Sequence, residues 1–354
     1  MREKQMENKN PTAEWKAVKE VSKTGKSIAF TAFLVRILPH RILVATTRFV
    51  SVFYWAFTKW AREISRSYQK NLIAFAKNLP EEVKKELAAT GIKINVPIIP
   101  NTYRHIASFA TCLVEKIEGW SGKAGMQDIE FAGADGTQAN AATDIEDVRL
   151  HLKNHQGCML ICSHLGNIEL FRSILSFGAD DFDHQIPVSI IMDQKVTANF
   201  NKLIGNINSN AKLNVIAADD ISMGTMEQLE QTIADGGLVV ISADRVPAYN
   251  TSRSISVNFL GKPAKIPYGP FLITALLKCP TYFIFSMRKH QAGFDPTYTI
   301  HIIKSEINFE GSRKEREEKI NTLANQYVRY MERFCLKYPY QWYNFFDFWN
   351  EGDK

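Results

Sequence analysis

The chain has 354 residues, 45% of them hydrophobic and 23% charged, with a net charge of +6. That balance supplies a large buried core and excludes both an intrinsically disordered protein and a small disulfide-stapled scaffold. Its five cysteines (Cys112, Cys158, Cys162, Cys279 and Cys335) contain no Cys-x-x-Cys pair, which argues against a disulfide framework or a structural zinc site and fits a reducing compartment.

The charge is unevenly spread. Positions 15 to 70 carry eleven Lys and Arg against two Glu, a net of +9 in a chain whose total is +6, so the remainder is net negative. Such asymmetry points to an anionic partner surface. Residues 1–14 are polar and read as a flexible tail, with no secretory signal. Two basic, aromatic-rich helices follow, over 27–37 and 41–77, with Pro39 at the break. The longest charge-free piece, Phe49 to Thr58, has ten residues, whereas a bilayer span needs about twenty. Aromatic rings beside Lys and Arg suit helices lying in the headgroup region of an anionic membrane. Packing on the core is the other reading. The interleaved aliphatic surface disfavours nucleic acid.

A helix over 104–120 comes next, then a Gly/Ala/Asn-rich segment with an Asp135-Gly136 turn signal. From there, short apolar runs (158–162, 187–192, 213–217, 238–243) alternate with amphipathic helical patterns near 144–155, 168–177, 198–207 and 224–234. This alternation predicts an α/β fold, a layered and mostly parallel sheet flanked by helices. Runs at 257–260, 281–287 and 298–303 are expected to extend the sheet. Helices are expected over 267–278 and 312–337. The expected organisation is a tail (1–14), basic membrane-associating helices packed on the core (15–90) and an α/β domain (91–354).

The segment richest in chemistry is Cys162-Ser-His-Leu-Gly-Asn-Ile-Glu169. A strand is expected to end near Ser163 and a helix to begin after Asn167, a good N-cap, with Gly166 permitting the tight turn. Ligands of open α/β sheets gather at the carboxyl ends of strands. His164 in such a turn can act as a general base. Glu169, in the first helical turn, can fold back to orient the imidazole. Free N–H groups near Gly166 and Asn167 can stabilise an oxyanion. Asp244-Arg245 follows the 238–243 strand, and either pins the loop or binds substrate. Lys262 and Lys265 are solvated lysines or contacts for the donor. No His, Cys or acid cluster has metal-ligand spacing, and there is no Gly-x-Ser-x-Gly elbow or Gly-rich phosphate loop.

Ser163-His-Leu-Gly-Asn-Ile-Glu169 resembles the His-x4-Asp/Glu signature of the lysophospholipid acyltransferase superfamily. Taken with Asp244-Arg245, Val257-Asn-Phe-Leu-Gly-Lys-Pro-Ala264, Ile266-Pro-Tyr-Gly-Pro270, Tyr338-Pro-Tyr-Gln-Trp342 and Tyr68-Gln-Lys-Asn-Leu72, the chain is similar over about 15–350 to the bacterial lipid A biosynthesis (late) acyltransferase family. Where that family carries an Arg/Asn-rich segment, this chain has Asp193-Gln-Lys-Val-Thr-Ala-Asn-Phe-Asn201. With the aromatic ending Trp342 to Trp349, this resembles a divergent branch associated with aryl-polyene or glycolipid assembly.

The resemblance implies transfer of a fatty acyl chain from a thioester, on acyl carrier protein or coenzyme A, to a hydroxyl of a membrane lipid or glycolipid. It implies His164 and Glu169 as catalytic pair, with Gly166, Asn167, Asp244, Arg245 and Lys262 binding substrate or the oxyanion. No metal, and no cofactor beyond the donor thioester, is expected. The implied place is the cytoplasmic face of the bacterial inner membrane, peripheral or monotopic. Hydrolysis of a thioester or lipid, or non-catalytic binding of lipid or carrier at the membrane, remain as alternatives.

Overall fold

Continuous apolar strands need cover on both faces, and this sheet receives it. A computed structural model describes residues 26–89, 92–123, 128–133, 138–170, 186–192, 213–246 and 253–349. Its central strand, β2 (Cys158–Gly166), points Met159, Ile161 and Leu165 into one apolar cluster and Cys158, Leu160 and Cys162 into another. With β1 (Ile129–Ala132), β3 (Val188–Met192), β4 (Leu213–Ala217), β5 (Leu238–Ser242), β8 (Thr281–Arg288) and β9 (Tyr298–Ser305) it forms a seven-stranded sheet in the order β1-β9-β8-β2-β5-β3-β4. All neighbours pair parallel except β8 with β9. The mixed α/β layer expected from the alternation is therefore the fold.

Helix α6 (Gln138–Lys153) covers one face, with Ile145, Val148 and Leu152 against β8 and β9. The other face is closed by α8 (Gly269–Leu277) and the long α9 (Arg313–Lys337). α9 opens with a capping box in which Ser312 and Glu315 satisfy each other's backbone N–H groups. Its apolar stripe, including Leu323, Tyr327, Met331 and Phe334, lies in the core. Helix α7 (Met223–Ala234) precedes β5 and is capped in the same way by Ser222 and Thr225.

The run at 257–260 does not extend the main sheet. It lies in β6 (Ser254–Phe259), which pairs antiparallel with β7 (Lys262–Pro267) as a separate hairpin. The turn residues Leu260 and Gly261 have φ of 52° and 74°. The short β1 carries too few residues to show a period and was not expected.

Helices α1 (Lys26–Ile37), α2 (His40–Phe57), α3 (Lys59–Lys77), α4 (Glu81–Ala89) and α5 (Thr102–Trp120) precede the sheet. The expected 41–77 helix is two helices, interrupted at Thr58 (φ −105°, ψ 85°). Arg62 explains why the break is stable: its guanidinium donates to the freed carbonyls of Trp55 and Ala56. The Tyr68-Gln-Lys-Asn-Leu72 segment docks α3 on α5, with Gln69 accepting from the Asn101 N–H and Tyr68 and Leu72 buried. Part of the basic charge works internally. Arg41 pairs with Asp295 at 3.0 Å, and Arg48 donates to the carbonyls of Ala292 and Gly293. Arg36, Lys59, Arg66 and Lys70 are exposed.

The C-terminal aromatic stretch is core: Tyr338, Tyr340, Trp342, Tyr343, Phe346 and Phe348 are all buried. The tail at 1–14, the Asp135-Gly136 turn, the helix near 198–207 and the segment 193–201 lie outside the described residues, as does the 168–177 helix beyond residue 170. No helix among the described residues is long and apolar enough to cross a membrane.

Candidate active site

β2 does not stop at Ser163 but continues to Gly166, with a register shift between Cys162 and Gly166. The shift is held by the C-terminal segment, which runs along the end of the strand. The Gly166 N–H donates to the Gln341 carbonyl at 2.8 Å and the Tyr343 N–H to the His164 carbonyl at 3.0 Å. Gln341 in turn clamps the Arg288 backbone through both ends of its amide. Gly166 has a φ of +81°, and a Cβ there would stand 2.0 Å from the Ser286 carbonyl oxygen. Only glycine fits.

This irregular end turns His164 out of the sheet toward the end of β5. β2 and β5 are parallel neighbours, with Cys162 opposite Ser242. Two residues further on, His164 meets Asp244. His164 Nδ1 lies 2.8 Å from Asp244 Oδ1, and the His164 N–H donates to Oδ2 at 3.0 Å. Asp244 is wholly buried, while a third of the His164 side chain is exposed. Burial would raise the Asp244 pKa, but the His164 charge and hydrogen bonds, with Arg245 behind them, hold it below the usual carboxylate range. Burial and then the Arg245 charge push the His164 pKa down, against the pull of Asp244. The imidazole is thus neutral at pH 7, with Nδ1–H donated to a carboxylate. Among the described residues Nε2 has no hydrogen-bond partner and is free to accept a proton.

The carboxylate that the sequence spacing assigned to orient His164 was that of Glu169. In the structure Asp244 is the one hydrogen-bonded to Nδ1, because the parallel register brings the two strand ends together. Glu169 is buried and receives the Trp120 indole N–H at 3.3 Å. Asn167 caps the following turn, its side-chain oxygen 3.4 Å from the Leu170 nitrogen, and its amide reaches Tyr298 Oη at 3.3 Å.

The expectation of free N–H groups at this turn needs correction. His164 N–H goes to Asp244, Leu165 N–H to Ser163 Oγ, Gly166 N–H to Gln341 and Asn167 N–H to the Ser286 carbonyl at 2.7 Å. A strand that runs on to Gly166 uses its donors in pairing. Arg245 Nη2 donates to the Tyr343 carbonyl at 2.9 Å, and its guanidinium sits 5.8 Å from the Phe346 ring centroid. Its charge still acts on both His164 and Asp244. Lys262 is exposed at the β6–β7 turn, and no hydrogen bond or ion pair among the described residues joins it to His164.

A buried polar layer supports this end of the sheet from behind. Glu115 of α5 pairs with Arg288 Nε at 2.9 Å and accepts the Tyr298 hydroxyl. Tyr327 of α9 donates to the Cys162 carbonyl at 2.9 Å, just before His164. His40 at the start of α2 is 2.7 Å from Glu118, which ties the N-terminal helices to the same layer. None of these was singled out in the sequence. The signal available was charge on otherwise apolar stripes, such as Glu115 on α5 or Arg288 ending an apolar strand.

The described residues contain no group of three or more His, Cys, Asp or Glu able to hold a metal ion. The arrangement is a carboxylate–imidazole pair with an open nitrogen, which is able to accept a proton. A search of curated proteins finds no match. The family described as bacterial lipid A biosynthesis acyltransferase matches residues 19–350, nearly the whole chain, so this protein belongs to that family and is an acyltransferase.

Proposed function

We propose that the protein moves a fatty acyl chain from an acyl thioester to a hydroxyl of a membrane lipid or glycolipid, with His164 as general base and Asp244 as its positioning residue. The observation that carries this is the open Nε2 of an imidazole whose Nδ1 is held 2.8 Å from a buried carboxylate. An alcohol is a poor nucleophile at neutral pH. Nε2 takes the hydroxyl proton as the oxygen attacks the thioester carbonyl carbon. The carbonyl π pair moves onto oxygen, and Asp244 stabilises the imidazolium. When the tetrahedral adduct collapses, the C–S bond breaks and the thiolate leaves. The proton on Nε2 passes to sulfur, giving an ester and a free thiol. Glu169, buried beside Trp120, is the second carboxylate of this reading, within the His-x4-Glu segment.

The donor is acyl carrier protein or coenzyme A, and no cofactor beyond the thioester is invoked. The acceptor is a membrane lipid or glycolipid, with aryl-polyene-type lipids included because of the resemblance of the 193–201 and 342–349 segments. The apolar surface of α1, α2 and α3 supports contact with a membrane. Phe30, Phe33, Phe49, Phe53 and Phe57 are between half and mostly exposed, alongside the exposed charges of Arg36, Lys59 and Arg66. We read this as a peripheral or monotopic protein at the cytoplasmic face of the inner membrane.

The test supplies purified protein with radiolabelled acyl carrier protein and acyl coenzyme A, and a membrane lipid extract as acceptor. Label entering one lipid species with wild type and not with a folded His164→Ala variant is the expected result. Release of free fatty acid alone would assign a hydrolase. Membrane and carrier binding without turnover would assign a non-catalytic binding protein.

A further inference from the structure

Attack on the thioester leaves a negative charge on the former carbonyl oxygen, and a donor must meet it. The backbone cannot supply one from the His164–Asn167 segment, because all four N–H groups there are already engaged. Arg245 spends Nη2 on the Tyr343 carbonyl and lies against the Phe346 ring, while its buried Nε has no hydrogen-bond partner among the described residues. A side chain from a neighbouring element can add a donor.

Helix α5 presents one. Residues four apart on a helix share a face, about 6 Å from one another. Cys112, Lys116 and Trp120 form such a row. Cys112 Sγ is 4.0 Å from the Gly166 carbonyl oxygen, and the Trp120 indole is 3.3 Å from Glu169 Oε2. The row therefore lies against residues 166–169, touching Gly166 and Glu169, with Lys116 in between. Lys116 is half-buried, and among the described residues it makes no hydrogen bond or ion pair. The carboxylates near it are occupied: Glu115 by Arg288 and Tyr298, Glu169 by Trp120. The Lys116 charge also acts on its surroundings, pushing down the pKa of His164 and opposing the upward shift of the Cys112 thiol.

We propose that Lys116 is the oxyanion donor of this acyltransferase: its ammonium hydrogen-bonds the thioester oxygen as negative charge develops there. This rests on the reading of His164 as the base of acyl transfer. The division of labour is then complete. Asp244 fixes the imidazole, Nε2 moves the proton, and Lys116 holds the oxygen while the C–O bond forms and the C–S bond breaks. The same ammonium adds to burial and the Arg245 charge in lowering the His164 pKa. A half-buried cation with no ion pair among the described residues lowers stability, and it is retained where an anion appears only in the transition state.

The test compares full-length wild type with Lys116→Gln and Lys116→Arg in the labelled-thioester assay, with thermal unfolding as the control for folding. Lys116→Gln is expected to lower kcat by about 10²–10³ with little change in the donor KM. Lys116→Arg, which keeps a donor and a charge, is expected to recover part of the loss. The charges facing His164 are Asp244 and Arg245 from the end of β5 and Lys116 from α5, with Glu169 following on its own segment. Losing the Lys116 charge should therefore move the acid limb of kcat/KM to higher pH, which reads the reach of the ammonium to the imidazole, while a loss confined to kcat separates a donor from a structural lysine. If Lys116→Gln does not fold, Lys116→Met keeps the packing of the stem and gives the same reading. A folded variant with wild-type kcat, or a loss confined to KM, overturns the proposal. Wild type that transfers no label would instead overturn the acyltransfer reading itself, so the two failures are distinguishable.

Discussion

Two histidines lie close to the C-terminal segment, and they differ in a single nitrogen. His105 of α5 is completely buried. Its Nδ1 is 2.9 Å from Ser65 Oγ and its Nε2 is 2.8 Å from the Trp342 carbonyl oxygen. Its ring packs against Phe345 at 4.7 Å and Tyr68 at 5.4 Å. His164, at the end of β2, also has one nitrogen committed, but to a carboxylate, and its Nε2 opens to solvent. An imidazole satisfied at both nitrogens ties α3, α5 and the C-terminal segment together. An imidazole satisfied at one nitrogen, by a negative charge, has a proton-accepting site left over. Burial lowers the pKa of both, to about 4 for His105. At His105 that keeps a structural group neutral, and at His164 it favours the neutral ring that the proposed base requires.

The sharpest way to break this comparison is to delete each ring in turn. His164→Ala should lose about 10²–10⁴ in transfer rate, the range of general-base catalysis, with little change in melting temperature. His105→Ala should leave residual chemistry per folded molecule but cost about 3–5 kcal/mol, as removal of a buried aromatic side chain does. Chemical denaturation alongside the transfer assay reads both. The comparison fails if the two variants behave alike.

The supporting layer gives the next effect. Glu115→Ala leaves Arg288 buried without its carboxylate, which should cost about 3–5 kcal/mol. The same denaturation measurement checks it, and a loss below about 1 kcal/mol would mean that Arg288 finds water. A smaller effect concerns acid. The His105 pKa is lowered from 6.5 to about 4 in the folded protein. As pH falls from 6.5 toward 4 the unfolded chain takes up this proton first, so stability is lost across that window, by up to about 3 kcal/mol. Melting temperature against pH should fall less steeply for His105→Gln than for wild type between these limits.

Much of this end of the molecule was legible from local pattern. Short apolar runs located β2 to β5, and the His164 segment stood out at a strand end. The long α9 followed from its apolar stripe. What local pattern could not supply was the partner of His164. Asp244 is 80 residues away, and only the parallel register of β2 and β5 brings it opposite. Spacing along one chain favoured Glu169 instead. The same limit applies to donors: whether the Gly166 and Asn167 N–H groups are free depends on Ser286 and Gln341, far off in sequence. The 257–260 run looked like another buried strand, yet the Leu260-Gly261 turn folds it back as a hairpin. The break at Thr58 depends on Arg62 reaching back to two carbonyls, which no periodicity reveals.

The central claim, that Asp244 tunes His164 as the base of acyl transfer, is tested most directly by the acid limb of kcat/KM in wild type and Asp244→Asn. Wild type should lose activity as pH falls through a value below the ordinary imidazole range. In Asp244→Asn the negative charge that supports the imidazolium is gone, so the limb should move to still lower pH while the plateau rate drops. A limb that stays in place in Asp244→Asn, or a wild-type rate with no acid limb, would contradict the account.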